Sequence, residues 1–330
     1  MKILIVGDLS EGALALSLSR ALSSLGVDAH SVVDDALVPS GRGRRLLARG
    51  TARLGAWRQD ISSLLPDPAS FQPDVVLLVK SPYLNSGSVR SIRRLTGARV
   101  VNWLPDDPFL AARPAVTLGA LKACDVVVTY SESIAARLIS DLHVRSWVIP
   151  FGFDPHNYFP SDNESKRRIY DVCFAGQYSR HRERHVEHLL RAGLRLAIRG
   201  AGWEQATSPV RAAWSNVPCF GPAVSRLYHQ SRVGLNVLHP LNNTGSHNMR
   251  TFEILGSGTP MITTDTHQQR ALLHGIDGVR YYDSLGSMVS AFTALAGSSE
   301  RPARGQLACH TYARRCSSLI EKLDEFGTGC

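Results

Sequence analysis

The chain has 330 residues, 44% hydrophobic and 20% charged, a globular balance with length enough for two hydrophobic cores. No apolar run reaches the roughly 18 residues needed to cross a bilayer, and Gly7-Asp8 cuts the apolar start short of a secretion signal, so a cytoplasmic protein is expected. The net charge of +9 calls for an anionic partner, which a nucleotide diphosphate, an anionic membrane face or a nucleic acid would each supply.

Ile3–Val6 is a short apolar run that ends at Gly7 and reads as a first buried strand. Residues 12–25 then place Leu14, Leu16, Leu18, Leu22 and Leu25 on a broad helical face. Gly7 and Gly12 flank the turn between them, which contains Asp8, Ser10 and Glu11. There is no G-x-G-x-x-G here, so a dinucleotide fingerprint is not supported. A glycine such as Gly12 lets a phosphate or an acceptor approach backbone amides; a plain tight turn is the alternative. From Arg42 through Arg44, Arg45, Arg49, Arg53 and Arg58, arginines alternate with Leu46, Leu47, Leu54 and Trp57. This is a cationic amphipathic pattern, suited to an anionic membrane face or acceptor, or to an ordinary solvated helix.

Val75–Val79, Val100–Leu104, Val126–Tyr130 and Trp147–Pro150 continue the first series of apolar runs. Runs of this kind with helices between them predict parallel strands buried on both faces. Residues 154–168 are rich in Pro, Asn, Asp and Ser and read as a linker. The alternation then restarts with Val172–Ala175 before Gly176, Leu194–Ile198 before Gly200, Val233–Val237, Pro260–Thr264 and Val279–Tyr282. Residues 302–328 read as a terminal helix. Two α/β domains are expected, with ligands at the carboxyl ends of the strands. The six cysteines show no CxxC pair and read as scattered buried thiols in a reducing compartment.

The most informative segment is Asn248–Asp265. A helix starting near Asn248 should stop at Gly256 or Gly258 and lead straight into a buried strand. Glu253 then lies one to two turns into the helix, where a carboxylate suits a ribose diol. The helix N-terminus suits a diphosphate, and Arg250 adds a planar cation for phosphate. A surface salt-bridged helix is the ordinary reading. Trp103-Leu104-Pro105-Asp106-Asp107-Pro108-Phe109 ends a first-domain strand. Its carboxylates could bind a metal, or one could position or deprotonate an acceptor hydroxyl; an aspartate capping the next helix is the alternative. His239, His247 and His267 read as local hydrogen-bond partners.

These segments resemble the retaining GT-B glycosyltransferases of family four, and most closely their CgeB-type spore-maturation branch. Arg250–Asp265 is similar to that branch's R-x-F-E signature, Tyr228–Asn236 to its Y-x-x-S-x-I-x-L-N, and Tyr170–Gln177 to its Y-D-V-x-F-x-G. Val148–Asp154 with Phe159-Pro160 resembles its interdomain stretch, His310–Arg315 its H-T-Y-x-x-R, and Trp103–Pro108 its W-x-x-D-D-P. The resemblance implies two Rossmann-like doubly wound domains facing across a cleft. The expected boundaries are 1–152 for an acceptor-side domain, 153–308 for the donor domain, and 309–330 for a helix that crosses back to the first.

The resemblance also implies a sugar transferred from a nucleotide-diphosphate donor, with retention, without metal and with no further cofactor. Glu253 would hold the ribose, and a basic residue after Gly176 the diphosphate. Arg182 stands at the matching offset, with Arg180 and Arg184 as competitors. The expected donor site is thus Gly176, Arg182, Asn248, Arg250, Thr251 and Glu253, with Gly12 from the first domain; Asp106 or Asp107 would act on the acceptor. The wider family has a second glutamate eight residues before Glu253, and Gly245 stands there instead. That departure leaves the sugar contact to Asn248 or to amides near Gly245 and Ser246. It also keeps open a non-catalytic nucleotide-sugar binding module. A nucleic-acid-modifying transferase would use the positive charge, but the arginines are not interleaved with many aromatics. The acceptor, the nucleotide base and the sugar are not named by the sequence.

Overall fold

The computed structural model describes residues 1–33, 65–67, 70–80, 84–110, 114–160, 168–217, 220–242 and 245–328. The Arg42–Arg58 stretch lies outside the described residues. The chain forms two compact units, Met1–Pro150 with Tyr312–Cys330, and Phe151–Thr311.

The first unit is a six-stranded parallel sheet in the order β2-β1-β3-β4-β5-β6. Its strands are β1 (Lys2–Gly7), β2 (Asp28–Val33), β3 (Val75–Val79), β4 (Arg99–Leu104), β5 (Val126–Thr129) and β6 (Ser146–Val148). Helix α1 (Leu14–Ser24) follows β1, and α2 (Ser86–Thr96), α3 (Pro114–Ala123) and α4 (Glu132–Leu142) connect the later strands. Every residue of β3 and all but the first of β1 are buried, as unbroken apolar runs require in a sheet covered on both faces. Strand β2 escaped the sequence reading. It is an edge strand, DAHSVV, with no fully buried residue and hence no apolar run to betray it.

The second unit is another six-stranded parallel sheet, in the order β12-β11-β10-β7-β8-β9. It comprises β7 (Tyr170–Ala175), β8 (Leu196–Arg199), β9 (Trp214–Ser215), β10 (Ser231–Asn236), β11 (Met261–Thr264) and β12 (Val279–Tyr282). Its helices are α5 (Arg180–Arg191), α6 (Ser208–Ala213), α7 (Pro222–His229), α8 (Met249–Gly256), α9 (His267–Leu272), α10 (Leu285–Ala296) and α11 (Arg304–Leu307). One core cluster gathers Val172, Phe174, Ile198, Val233, Leu235 and Ile262 from a single face of the sheet, with Trp203 from a short turn and Phe292 from helix α10.

The terminal segment is not one helix. It breaks after α11 at a 3-10 turn and at Thr311, which bridges Phe153, before α12 (Tyr312–Thr328) begins. Helix α12 belongs to the first unit, where Cys316, Leu319 and Leu323 are fully buried, each such leucine contributing about 1.5–3 kcal/mol. Arg99 donates to the Leu323 carbonyl at 2.8 Å, and Phe326 lies under the Arg145 guanidinium at 4.3 Å. Burial pushes the Cys316 thiol up to about 12, so it is an inert packing group. Cys124 and Cys173 are buried as expected, whereas Cys309 is exposed; Cys219 and Cys330 lie outside the described residues.

Candidate functional site

In the second sheet the strand order reverses between β10 and β7, and their adjacent carboxyl ends form the switch point where open α/β sheets bind ligands. Two glycines shape the β7 side. Gly200 has φ +133°, and a Cβ there would stand 2.1 Å from the Gly176 carbonyl oxygen, so only glycine lets the two strand ends approach. The same carbonyl accepts the Trp203 indole N–H at 2.9 Å, which pins the turn. Helix α5 follows at once, with Ser179 as its cap accepting the Arg182 amide at 3.3 Å.

Of the three arginines that open α5, Arg180 and Arg184 are exposed, while Arg182 is half-buried. Arg182 Nη1 donates to the Gln177 carbonyl at 2.9 Å, its guanidinium lies 5.8 Å from the Phe174 ring, and its buried Nε has no partner among the described residues. No carboxylate pairs with it among the described residues. Burial, and then the positive charge of Arg250, lower its affinity for its proton. Arg250 thus adds a second positive charge near Arg182, although Arg250 has Glu253 as its own partner.

Helix α8 starts where the sequence predicts. Asn248 caps it, its Oδ1 accepting the Thr251 amide at 3.1 Å, and the Thr251 hydroxyl completes a capping box. Both residues belong to a buried polar network. Asn248 donates to Asn236 Oδ1 at 3.0 Å, Asn236 donates to the Thr251 and Thr263 hydroxyls at 3.1 Å each, and both hydroxyls donate to Gln269 Oε1 at 2.9 and 3.1 Å. Thr251 is fully buried, so its side chain holds the helix start in place rather than presenting itself to solvent. Gln268 and Thr266 fix Ser246 in the same way, and Gly245 sits in a left-handed turn at φ +68° with open space beside it.

Glu253 is buried and forms an ion pair with Arg250 one turn earlier. Tyr158, also buried, donates its hydroxyl to the same carboxylate, and burial with the Glu253 charge raises the phenol well above its ordinary value. Helix α8 therefore brings together Asn248, Arg250, Thr251 and Glu253, and the switch point adds Gly176 and Arg182. His247 is fully buried between Phe151 and Phe252, and its Nε2 accepts the Phe151 amide at 3.1 Å.

The remaining sequence candidates are in the first unit. Gly12 has φ +82° and closes the turn after β1, in which Ala13 N–H reaches the Ser10 carbonyl at 3.0 Å. Asp106 follows β4 and pairs with Lys80 at 2.8 Å. Lys80 itself follows β3 in a left-handed conformation, φ +63°, that β-carbon residues seldom adopt. Asp107 Oδ1 accepts the Phe109 amide at 2.9 Å, the capping role weighed above. Among the described residues, no three histidine, cysteine or acidic side chains gather as a metal-holding group, and no helix is long and apolar enough to cross a membrane.

Residues 180–321 match the family model described as "Glycosyl transferase-like". Among curated proteins nothing matches. A glycosyltransferase involved in avilamycin A biosynthesis, AviGT4, shares the fold with a TM-score of 0.62 at 15% identity, over 100% of this chain and 98% of that one. The E. coli trehalose-6-phosphate structure bound with UDP-2-fluoro glucose gives 0.59 at 12% identity, over 98% and 99%. The UDP-GlcNAc 2-epimerase of Methanocaldococcus jannaschii gives 0.55 at 12% identity, over 97% and 100%. The chain has the GT-B glycosyltransferase fold.

Within this GT-B chain, several residues that hold the sequence candidates of each unit in place carried no sequence signal. Asn236 ends an apolar strand and stood out only as part of a longer pattern. Gln269, Tyr158 and Lys80 come from a helix, an irregular segment and a strand end with no shared motif. A polar residue closing an apolar strand was the one available hint, and it fits Asn236 and Lys80.

Proposed function

We propose that the chain transfers a sugar from a nucleotide-diphosphate sugar, held at the carboxyl ends of β7 and β10, to an acceptor hydroxyl. The observation that carries this is the convergence of Arg182 and Arg250 beside the start of α8. The anomeric carbon–oxygen bond breaks as the diphosphate leaves. The two guanidiniums and the first-turn amides of α8 receive its charge, preorganised and without a metal. Glu253 fixes Arg250 and offers its carboxylate to the ribose. Asp106, paired with Lys80, positions or deprotonates the acceptor. The motif order from Tyr170 to Arg315 supports the CgeB-type branch, and the family's habit supports retention.

The fold by itself does not select transfer, because one structure that shares it is named an epimerase. The open space at Gly245, where the wider family places a sugar-contacting glutamate, supports a second reading as a nucleotide-sugar binding module. A thermal-shift panel of nucleoside diphosphates separates these from no site at all. A ligand at about a hundred times its dissociation constant should stabilise by about 2.7 kcal/mol. Release of diphosphate from a matching nucleotide sugar then supports a transferase; tight binding with no turnover supports the binding module. An epimerised nucleotide sugar would place the chain with the epimerase, and no shift with any diphosphate would sink the donor site.

A further inference from the structure

The switch point carries imidazoles as well as guanidiniums. His181 is the second residue of α5, beside Arg182, and His239 lies three residues beyond the end of β10. Tyr282 of β12 joins the two sides. Its hydroxyl donates to the Asn236 carbonyl at 3.1 Å, while its ring lies 5.7 Å from that of His185. His185 meets His181 edge-on at 4.6 Å and donates from Nδ1 to the His181 carbonyl at 2.8 Å.

The two outer imidazoles are in different states. His239 Nδ1 accepts the amides of Leu241 at 3.3 Å and Asn242 at 3.1 Å. Its proton therefore sits on Nε2, and the ring is a neutral hydrogen-bond donor of fixed tautomer. His181 lends only its carbonyl to His185, so its ring can take up a proton without breaking that bond.

The charged groups acting on both rings are guanidiniums, with further imidazoles beside them. His181 faces His185, Arg184 and Arg182 from its own helix and His239 from the loop after β10; His239 faces Arg182, and Arg250 of α8 faces Arg182. The carboxylate of Glu183 is turned away, accepting the Tyr178 hydroxyl at 2.9 Å and the Thr207 amide at 2.6 Å. Burial first, then the neighbouring imidazoles and guanidiniums, hold His181 below the ordinary histidine value, and burial, then Arg182, does the same for His239. Both are neutral at pH 7 while no anion is bound.

We infer that His239 and His181 are phosphate ligands of the donor site, His239 as a neutral Nε2–H donor and His181 as a group that takes up a proton when a diphosphate binds. This rests on the donor reading above and adds to it that binding is linked to pH. A bound diphosphate reverses the local field, so the His181 imidazolium is favoured in the complex and disfavoured without it. Between the lower titration point of the unliganded protein and the higher one of the complex, affinity rises as pH falls. The limit is about tenfold per pH unit for one proton.

The test is calorimetry of UDP, GDP and ADP, and of the matching nucleosides, with the whole chain from pH 8 to 5.5 in two buffers of different ionisation heat. The wild type should show proton uptake and bind the diphosphate severalfold more tightly at pH 6 than at pH 8. His181→Gln should lose the histidine share of that slope; the phosphate's own titration is common to both proteins and cancels. His239→Ala should weaken the diphosphate by about tenfold, one hydrogen bond's worth, and leave the nucleoside unchanged. His239→Gln, which keeps an N–H donor, should recover most of it. Identical pH slopes in wild type and His181→Gln, or wild-type affinity in His239→Ala, overturn the inference while diphosphate binding stands. If no nucleoside diphosphate binds at any pH, the donor reading falls and takes this inference with it.

Discussion

Removing the charge of Glu253 tests how the second unit holds Arg250, the arginine proposed to meet the donor phosphate. The carboxylate is 5% exposed, and Arg250 and Tyr158 both donate to it. Glu253→Gln keeps the shape and one acceptor oxygen but turns the other into an amide group facing guanidinium donors. The direct loss is one charge-assisted hydrogen bond, about 1.5–3 kcal/mol. Stranding a partner of a buried pair costs about 3–5 kcal/mol. Arg250 is 27% exposed, so water meets part of its stranded charge and the lower end applies. A loss of about 3 kcal/mol lowers Tm by about 6–12 °C in a domain of this size. Arg250→Gln should cost a similar amount, because it strands the buried carboxylate instead. The double variant sets two amides side by side and should be about 2 kcal/mol more stable than the sum of the singles. Thermal and urea denaturation of the four proteins measures this, with nucleotide affinity followed in parallel. Additivity within about 0.5 kcal/mol would show that the two side chains do not hold each other. Unchanged diphosphate affinity in Glu253→Gln would remove it from the donor site.

Gly200→Ala places a Cβ against the Gly176 carbonyl at a φ of +133°. It should cost at least about 3 kcal/mol and lower diphosphate affinity, and an unaltered melt would refute the close-approach argument. Turnover should persist in excess chelator, because Arg182 and Arg250 supply the positive charge; loss restored by a divalent ion would promote Asp106 and Asp107 to metal ligands. Asp106→Asn should lower turnover by about a hundredfold without moving diphosphate affinity, and an unchanged rate would dismiss it from acceptor chemistry. Charge reversal of Arg44, Arg45 and Arg49 should abolish co-sedimentation with anionic vesicles at low salt, where each basic residue contributes about 1 kcal/mol. Vesicle binding that survives reversal, or never occurs, removes the membrane contact.

Much of the architecture was legible in the residues. Ten of the twelve strands fall on apolar-rich segments, and the interior strands β1 and β3 are continuous apolar runs because a strand covered on both faces must be apolar throughout. The two that were missed are edge strands of a different composition from the edge strands β6 and β12: β2 is the mixed DAHSVV, and β9 is only Trp214-Ser215, so neither leaves such a trace. The start of α8 at Asn248 and its end at Gly256 were equally readable, since capping is local chemistry between residues three apart. What the residues left open was which polar groups meet. Three arginines open α5 in five residues, and only the pitch of that helix against β7 turns Arg182 inward and leaves Arg180 and Arg184 in water. The pairing of Lys80 with Asp106, and the meeting of Asn236 with Gln269 through two threonines, join residues far apart in the chain. Such contacts are fixed by strand order and register, which depend on the packing of the whole sheet, so periodicity and local motifs cannot announce them.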